Sequence, residues 1–169
     1  EAPPARWPLP RPHHLSVAGL SLADAVVTER FAVPVDLDGP STRVDALIGA
    51  QRPALLLPNG EDFTYAKLHL DPASLAFARG NAARIVDPMS QALVLDALWH
   101  MCRDGVLPAQ DYVEAALAAL PGVTVSAVRE AHVRSIVTAV ARYVPPDIAQ
   151  EVGAAAAEAV WAALEVAEP

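Results

Sequence analysis

The side chains here best suited to metal or nucleophilic chemistry are five histidines (His13, His14, His69, His100 and His132), a lone Cys102 and three tyrosines. Two imidazoles share a zinc on a helix when they lie one turn apart, and the chain has no His-x-x-x-His pair. His100 and Cys102 are two residues apart, about 200° around a helix, so they point away from each other. A core-edge histidine and a buried thiol are expected instead. His13 and His14 begin a strand and face opposite sides, so they cannot chelate through both rings. His69 is expected on the exposed face of its strand, and His132 at the border of an apolar helix face, as a structural histidine.

Other chemistries lack their motifs. No Gly-x-Ser-x-Gly elbow occurs, and the eight glycines are scattered singly rather than gathered into a phosphate loop. The carboxylate pairs Asp36/Asp38 and Glu61/Asp62 fall where turns are expected, which predicts solvated side chains. The alanine-rich stretch 153–159 is accompanied by Glu151, Glu158 and Glu165, not by the basic face of a membrane-surface helix. The sequence therefore assigns no catalytic, cofactor-binding or metal-ligating residue to this chain.

The elements that would position these groups fall into two halves. Residues 1–12 carry five prolines and read as an extended lead-in, with Trp7 expected to lie on the body of the domain. From 13 to 70 the period is two. His14 to Val17 and Phe31 to Leu37 alternate, Asp38-Gly39 is a hairpin signal, and Arg43 to Leu47 is the expected return strand. Leu55-Leu56-Leu57 is a buried strand closed by Pro58-Asn59-Gly60, and Phe63 to Leu70 alternates again, with Ala66, Leu68 and Leu70 on one face and Tyr65, Lys67 and His69 on the other, exposed one. About five short strands predict a small, abbreviated antiparallel β-sandwich.

At Asp71-Pro72 the period becomes 3.6. Aspartate caps a helix and proline suits its first residue, where no amide donor is needed. Asp87-Pro88 repeats the device and opens a helix to about Arg103, ended by Gly105. Further helices are predicted over 108–120, 126–143 and from Pro145-Pro146-Asp147 to about Val166. Short Pro/Gly connections imply antiparallel neighbours. The expected class is α+β, with a sandwich domain over 1–70 and a helical domain over 71–169.

Composition narrows the function classes. The hydrophobic share of 53% over 169 residues supports a real core and excludes a disordered tail. A net charge of −8 with a single lysine, Lys67, disfavours nucleic acid, and no apolar run is long enough to span a membrane. One cysteine fits a reducing, cytoplasmic setting. The start at Glu1, without methionine or signal peptide, suggests a segment of a longer polypeptide.

Specific strings carry more. The segment from Leu55 through Pro58-Asn59-Gly60-Glu61-Asp62-Phe63-Thr64-Tyr65-Ala66-Lys67-Leu68 resembles the join between sandwich and helical domains in the aminopeptidase N family. These are gluzincin zinc aminopeptidases, and the resemblance is to the actinobacterial type. Glu1-Ala2-Pro3-Pro4 and Arg11-Pro12-His13-His14-Leu15 look like the start of that sandwich. Ala97 to Gly105, with Leu107 to Val113 after it, is similar to the first helices of the family's C-terminal domain. The resemblance covers roughly residues 1–147.

It implies a non-catalytic role. The family's zinc helix His-Glu-x-x-His, its Gly-x-Met-Glu-Asn strand and its catalytic tyrosine have no counterpart here, so no residue is carried over, and Tyr65, Tyr112 and Tyr143 are assigned to packing. Zinc would belong to the catalytic domain of the parent, this chain's expected partner along with the parent's peptide substrates. The segment would space and cover the active site. Its last helix should keep one face uncovered, with Val152, Val160 and Leu164 as candidates for a dimer contact. The alternative is a free-standing helical module that binds a protein or peptide.

Overall fold

The computed structural model describes Arg6 and residues 12–165, apart from the side chain of Leu164. The prolines at 3, 4, 8 and 10, Trp7 and Val166 lie outside the described residues. Strand β1 (His13–Ala23) is central, flanked by β2 (Val26–Leu37) and β3 (Leu55–Pro58) in one antiparallel sheet. β1 and β2 pair from His13 opposite Leu37 to Ala23 opposite Val26. Arg30 is an extra residue between the Phe31–Gly19 and Glu29–Leu20 pairs, a bulge that re-aims the strand. The Phe31 ring lies against Gly19, where a Cβ would meet it at 2.4 Å.

The hairpin is not where the turn signal lay. It closes at Asp24-Ala25, whose φ values of 48° and 68° form the left-handed pair that matches the twist of two strands. Neither is glycine, so the pairing of long flanking strands overrode local preference. Gly39 does take φ 80°, but it opens a loop, and Arg43 to Leu47 forms no return strand; Asp45–Leu47 is a short 3-10 turn. Phe63 to Leu70 also joins no ladder among the described residues, although Leu68 and Leu70 turn inward and Lys67 and His69 outward. The sheet has three strands where about five were expected, because period two reports a half-buried extended chain and not a hydrogen-bonded neighbour.

The helical half follows its punctuation. Helix α1 (Pro72–Asn81) is capped by Asp71, which accepts from the amides of Ala73 and Ser74. Helix α2 (Pro88–Arg103) is capped by Asp87, which accepts from Ser90 at 2.8 Å, and ends before Gly105 with φ 73°. Helices α3 (Ala109–Ala119), α4 (Ser126–Arg142) and α5 (Ala149–Glu165) complete the array. The α4 start has no capping side chain on Val125; Arg129 reaches back instead, donating twice to the Val123 carbonyl.

One apolar core runs from the sheet into the array. Leu20, Val27, Leu55 and Leu57 meet Ala78 and Ala82, and the cluster continues through Leu95, Leu98 and Met101 to Tyr112, Val113 and Ile136. Each such large side chain contributes about 1.5–3 kcal/mol of burial. α3 is the hub, touching α1, α2, α4 and α5. The described residues are thus α+β: a small three-stranded antiparallel sheet followed by an array of five helices.

Candidate functional site

The polar groups that could do chemistry are dispersed by the fold. His13 and His14, neighbours on β1, diverge as alternation requires: Nδ1 of His13 lies 2.6 Å from the Thr64 hydroxyl, and Nδ1 of His14 lies 2.6 Å from Asp36 across the hairpin. Asp36 therefore sits in β2, not in a turn. Asp38 and Glu61 are exposed, and Asp62 accepts from the Asn59 side chain. His100 is 3.5 Å from Asp96 one turn earlier, while Cys102 is buried away from it, where desolvation pushes its thiol above the ordinary value. A shared ligand set is geometrically closed to this pair.

Among the described residues, one carboxylate draws two ionisable side chains from distant sequence. Lys67 and His69, on the extended segment, both reach Asp104 at the end of α2, at 2.6 Å and 3.0 Å. Their hydrogen bonds hold the Asp104 carboxyl below the usual carboxylate range. The arrangement is a surface strap tying 62–70 to the helices, with an acceptor already fully engaged. Sequence reasoning missed Asp104; alternation had placed Lys67 and His69 outward on one face, and that was the available signal. A second fixture lies just upstream. Buried Asn59 (φ 56°) clasps Thr64 through both backbone groups, holding the intervening loop in shape.

Among the described residues no group of three or more His, Cys, Asp or Glu is gathered so as to hold a metal ion. None of the helices described is long and apolar enough to cross a membrane.

The tyrosines part ways. Tyr112 is buried, ring to ring with Trp99 at 5.2 Å, and Tyr143 meets the same indole edge-on at 5.8 Å. Tyr65 is fully exposed, so the packing role expected for it does not hold. Among the described residues the Tyr112 hydroxyl has no hydrogen-bond partner of ordinary geometry; Ser135 faces it but donates to the Ala131 carbonyl. His132 is buried with Nε2 unpartnered, and desolvation lowers its pKa despite the counteracting charge of Asp96. These atoms sit where α2, α3 and α4 meet.

An apolar groove of about 280 Å³ lies between α4 and α5, lined by Val137, Val140, Ala141, Gly153, Ala157 and Val160 among others. Of the three residues expected on the uncovered face of α5, Val160 lines this groove. Val152 instead packs against the core, since it lies about 80° around the helix from Val160, on the side facing α3 and α4.

Comparison with known proteins gives this geometry its context. The sequence profile described as ERAP1-like C-terminal domain matches residues 55–169. Aminopeptidase N of Streptomyces lividans is 32% identical over 162 residues, which is 95% of this chain and 19% of that protein. The chain thus spans about a fifth of the length of this curated relative. With a match across more than half of its length, in a sheet that feeds a helical array, the chain belongs to the ERAP1-like C-terminal domain family.

Proposed function

We propose that this chain is a non-catalytic C-terminal segment of a zinc metallo-aminopeptidase of the aminopeptidase N type, which releases N-terminal amino acids from peptides. The observation that carries the reading is the alignment with the Streptomyces lividans protein, which runs through 95% of this chain yet only 19% of that one. The three-stranded sheet would be the small sandwich that spaces the array from the catalytic part, and the helices would help cover the active site. Covering excludes water and bulky chains, so that only peptides presenting a free N-terminus are cleaved. In this reading zinc and every reacting group belong to the catalytic part, and the segment alone is inactive. Its partners are that catalytic part, the parent's peptide substrates and a second copy through α5.

Two domains, 1–70 and 71–169, would join at Asp71-Pro72, where the helix cap begins. A cytoplasmic location accords with the single buried, unpaired cysteine. The open groove between α4 and α5 favours a second reading, a free-standing module that binds a protein or peptide helix. An antibody against this chain, used on lysate of the source cells, separates the two. A band several times larger than 17.8 kDa, copurifying with aminopeptidase activity that chelation abolishes and zinc restores, is expected. A band at 17.8 kDa without that activity overturns the aminopeptidase reading.

A further inference from the structure

The loop after β3 runs back beside the start of β1. The Gly60 amide donates to the Ser16 carbonyl at 3.2 Å, and the Thr64 hydroxyl meets Nδ1 of His13 at 2.6 Å. Buried Asn59 holds both backbone groups of Thr64, so the loop keeps its shape. On either side of Thr64 this frame presents Phe63, 66% exposed, and Tyr65, fully exposed. Two rings on a preformed loop are an apolar platform that loses little freedom when it is covered. Further along, Lys67 and His69 tie the same segment to Asp104 of the helical half.

What enters beside this platform is the chain's own lead-in. Pro12 precedes His13, and Pro8, Pro10 and Pro12 each fix φ near −65°, so the sequence of 7–12 favours polyproline II. Arg6 lies in a turn, which sets the limit of that stretch. From these features we propose that residues 7–12 fold over the loop, with Trp7 and Pro10 packed on the rings of Phe63 and Tyr65. Polyproline II has three residues per turn, so Trp7 and Pro10 share a face. The six steps from Trp7 to His13 span about 19 Å at about 3.1 Å each, enough to cross the loop from the contact at Thr64. Proline-rich segments dock on aromatic surfaces in this conformation because it is already ordered. Charge agrees. The lead-in carries Arg6 and Arg11 against Glu1 in a chain of net charge −8, and the loop offers Glu61 and Asp62, both exposed. A second copy or a foreign proline-rich peptide would meet the same rings, but only the chain's own lead-in is tethered there, at high effective concentration. Docked, it completes a clamp on the join between sheet and helices, whose other fastenings are His13–Thr64 and the Asp104 strap.

The test is fluorine NMR of the 169-residue chain labelled with fluorotryptophan, with a soluble gadolinium chelate that broadens signals exposed to solvent. Trp7→Phe identifies the Trp7 signal among the three tryptophans. That signal is expected to broaden about threefold less than the signal of Trp161, which is 66% exposed, and to broaden as much as it in the double variant Phe63→Ala/Tyr65→Ala. Both replaced rings are exposed, so the double variant should retain the circular dichroism of the unaltered chain. The protection should also be constant across a dilution series. Equal broadening of Trp7 and Trp161 in the unaltered chain overturns the proposal. So does protection that survives the double variant, or that fades on dilution as a second copy's lead-in would require. None of these results bears on the aminopeptidase reading, because that is decided by the size and zinc dependence of the native polypeptide.

Discussion

Helices α2 and α3 meet through Leu95, Leu98, Met101, Tyr112 and Val113, all within 2% of full burial, whereas α4 and α5 leave a groove between them, lined by Val140, Gly153 and Val160 among others. Length does not separate the pairs: α4 and α5 have 17 residues each, against 16 and 11. The difference lies in what surrounds them. α2 and α3 are covered by α1 and α4 as well as by each other, so large apolar side chains pay their ordering entropy and still gain. α4 and α5 are covered on one side, and their outward positions include Val137 and Trp161, both at least 60% exposed. One pair is a closed interior; the other leaves an apolar groove.

The sharpest test of this contrast is truncation in the finished half. Leu98→Ala should lose about 3 kcal/mol in urea unfolding monitored by circular dichroism, from lost burial plus the cavity left behind. A loss under about 1 kcal/mol would mean that the α2–α3 core is loosely packed. Caps come next. Asp87→Ala should cost about 1 kcal/mol, while Val125→Asp should gain a similar amount, because α4 starts without a capping side chain. Equal losses from both would break the comparison.

Acid should act on the junction between the two pairs. His132 is kept neutral by burial, its folded pKa below the unfolded value near 6.5. The unfolded chain therefore binds the extra proton first, and stability falls as pH drops below about 6.5. A second loss follows at Asp71. Its partial burial opposes the charge, but hydrogen bonds from Ser74, Arg52 and the amides of Ser74 and Ala73 outweigh that and hold the pKa at about 2 instead of 3.8. That contribution is present above pH 4 and lost as pH falls towards 2, about 1 kcal/mol once solvent screening of this half-exposed pair is allowed for. His132→Gln should flatten the first step and leave the second. The smallest effect is expected at the groove, where Val137→Ala should change monomer stability by less than about 0.5 kcal/mol at pH 7.

The helices were legible because their ends are written in adjacent residues. Asp71-Pro72, Asp87-Pro88 and Gly105 act within one turn of themselves, so local chemistry was enough to place α1 and α2. The sheet was less legible. Asp38-Gly39 has the stronger turn chemistry, yet the hairpin formed at Asp24-Ala25, where the register of eleven residue pairs outweighs two strained dihedrals. Phe63 to Leu70 shows the same gap from the other side. Its alternation correctly placed Leu68 and Leu70 inward, but no signal in the segment says whether a neighbouring strand exists.

For the candidate site, the spacing of the five histidines was enough to separate His13 from His14 and His100 from Cys102, because i, i+1 and i, i+2 neighbours diverge on any regular element. The convergence of Lys67 and His69 on Asp104, 35 and more residues away, lies beyond any periodicity argument. So does the groove, since outward Val137 and inward Ile136 share one helical stripe and only the position of α5 decides which is covered. Sequence alone determined the family strings, the helix ends and the lack of a ligand motif, all properties of residues near one another in the chain. Tertiary structure alone decided the strand count, the Asp104 strap and the open face of α5, because each depends on what a distant segment brings into contact.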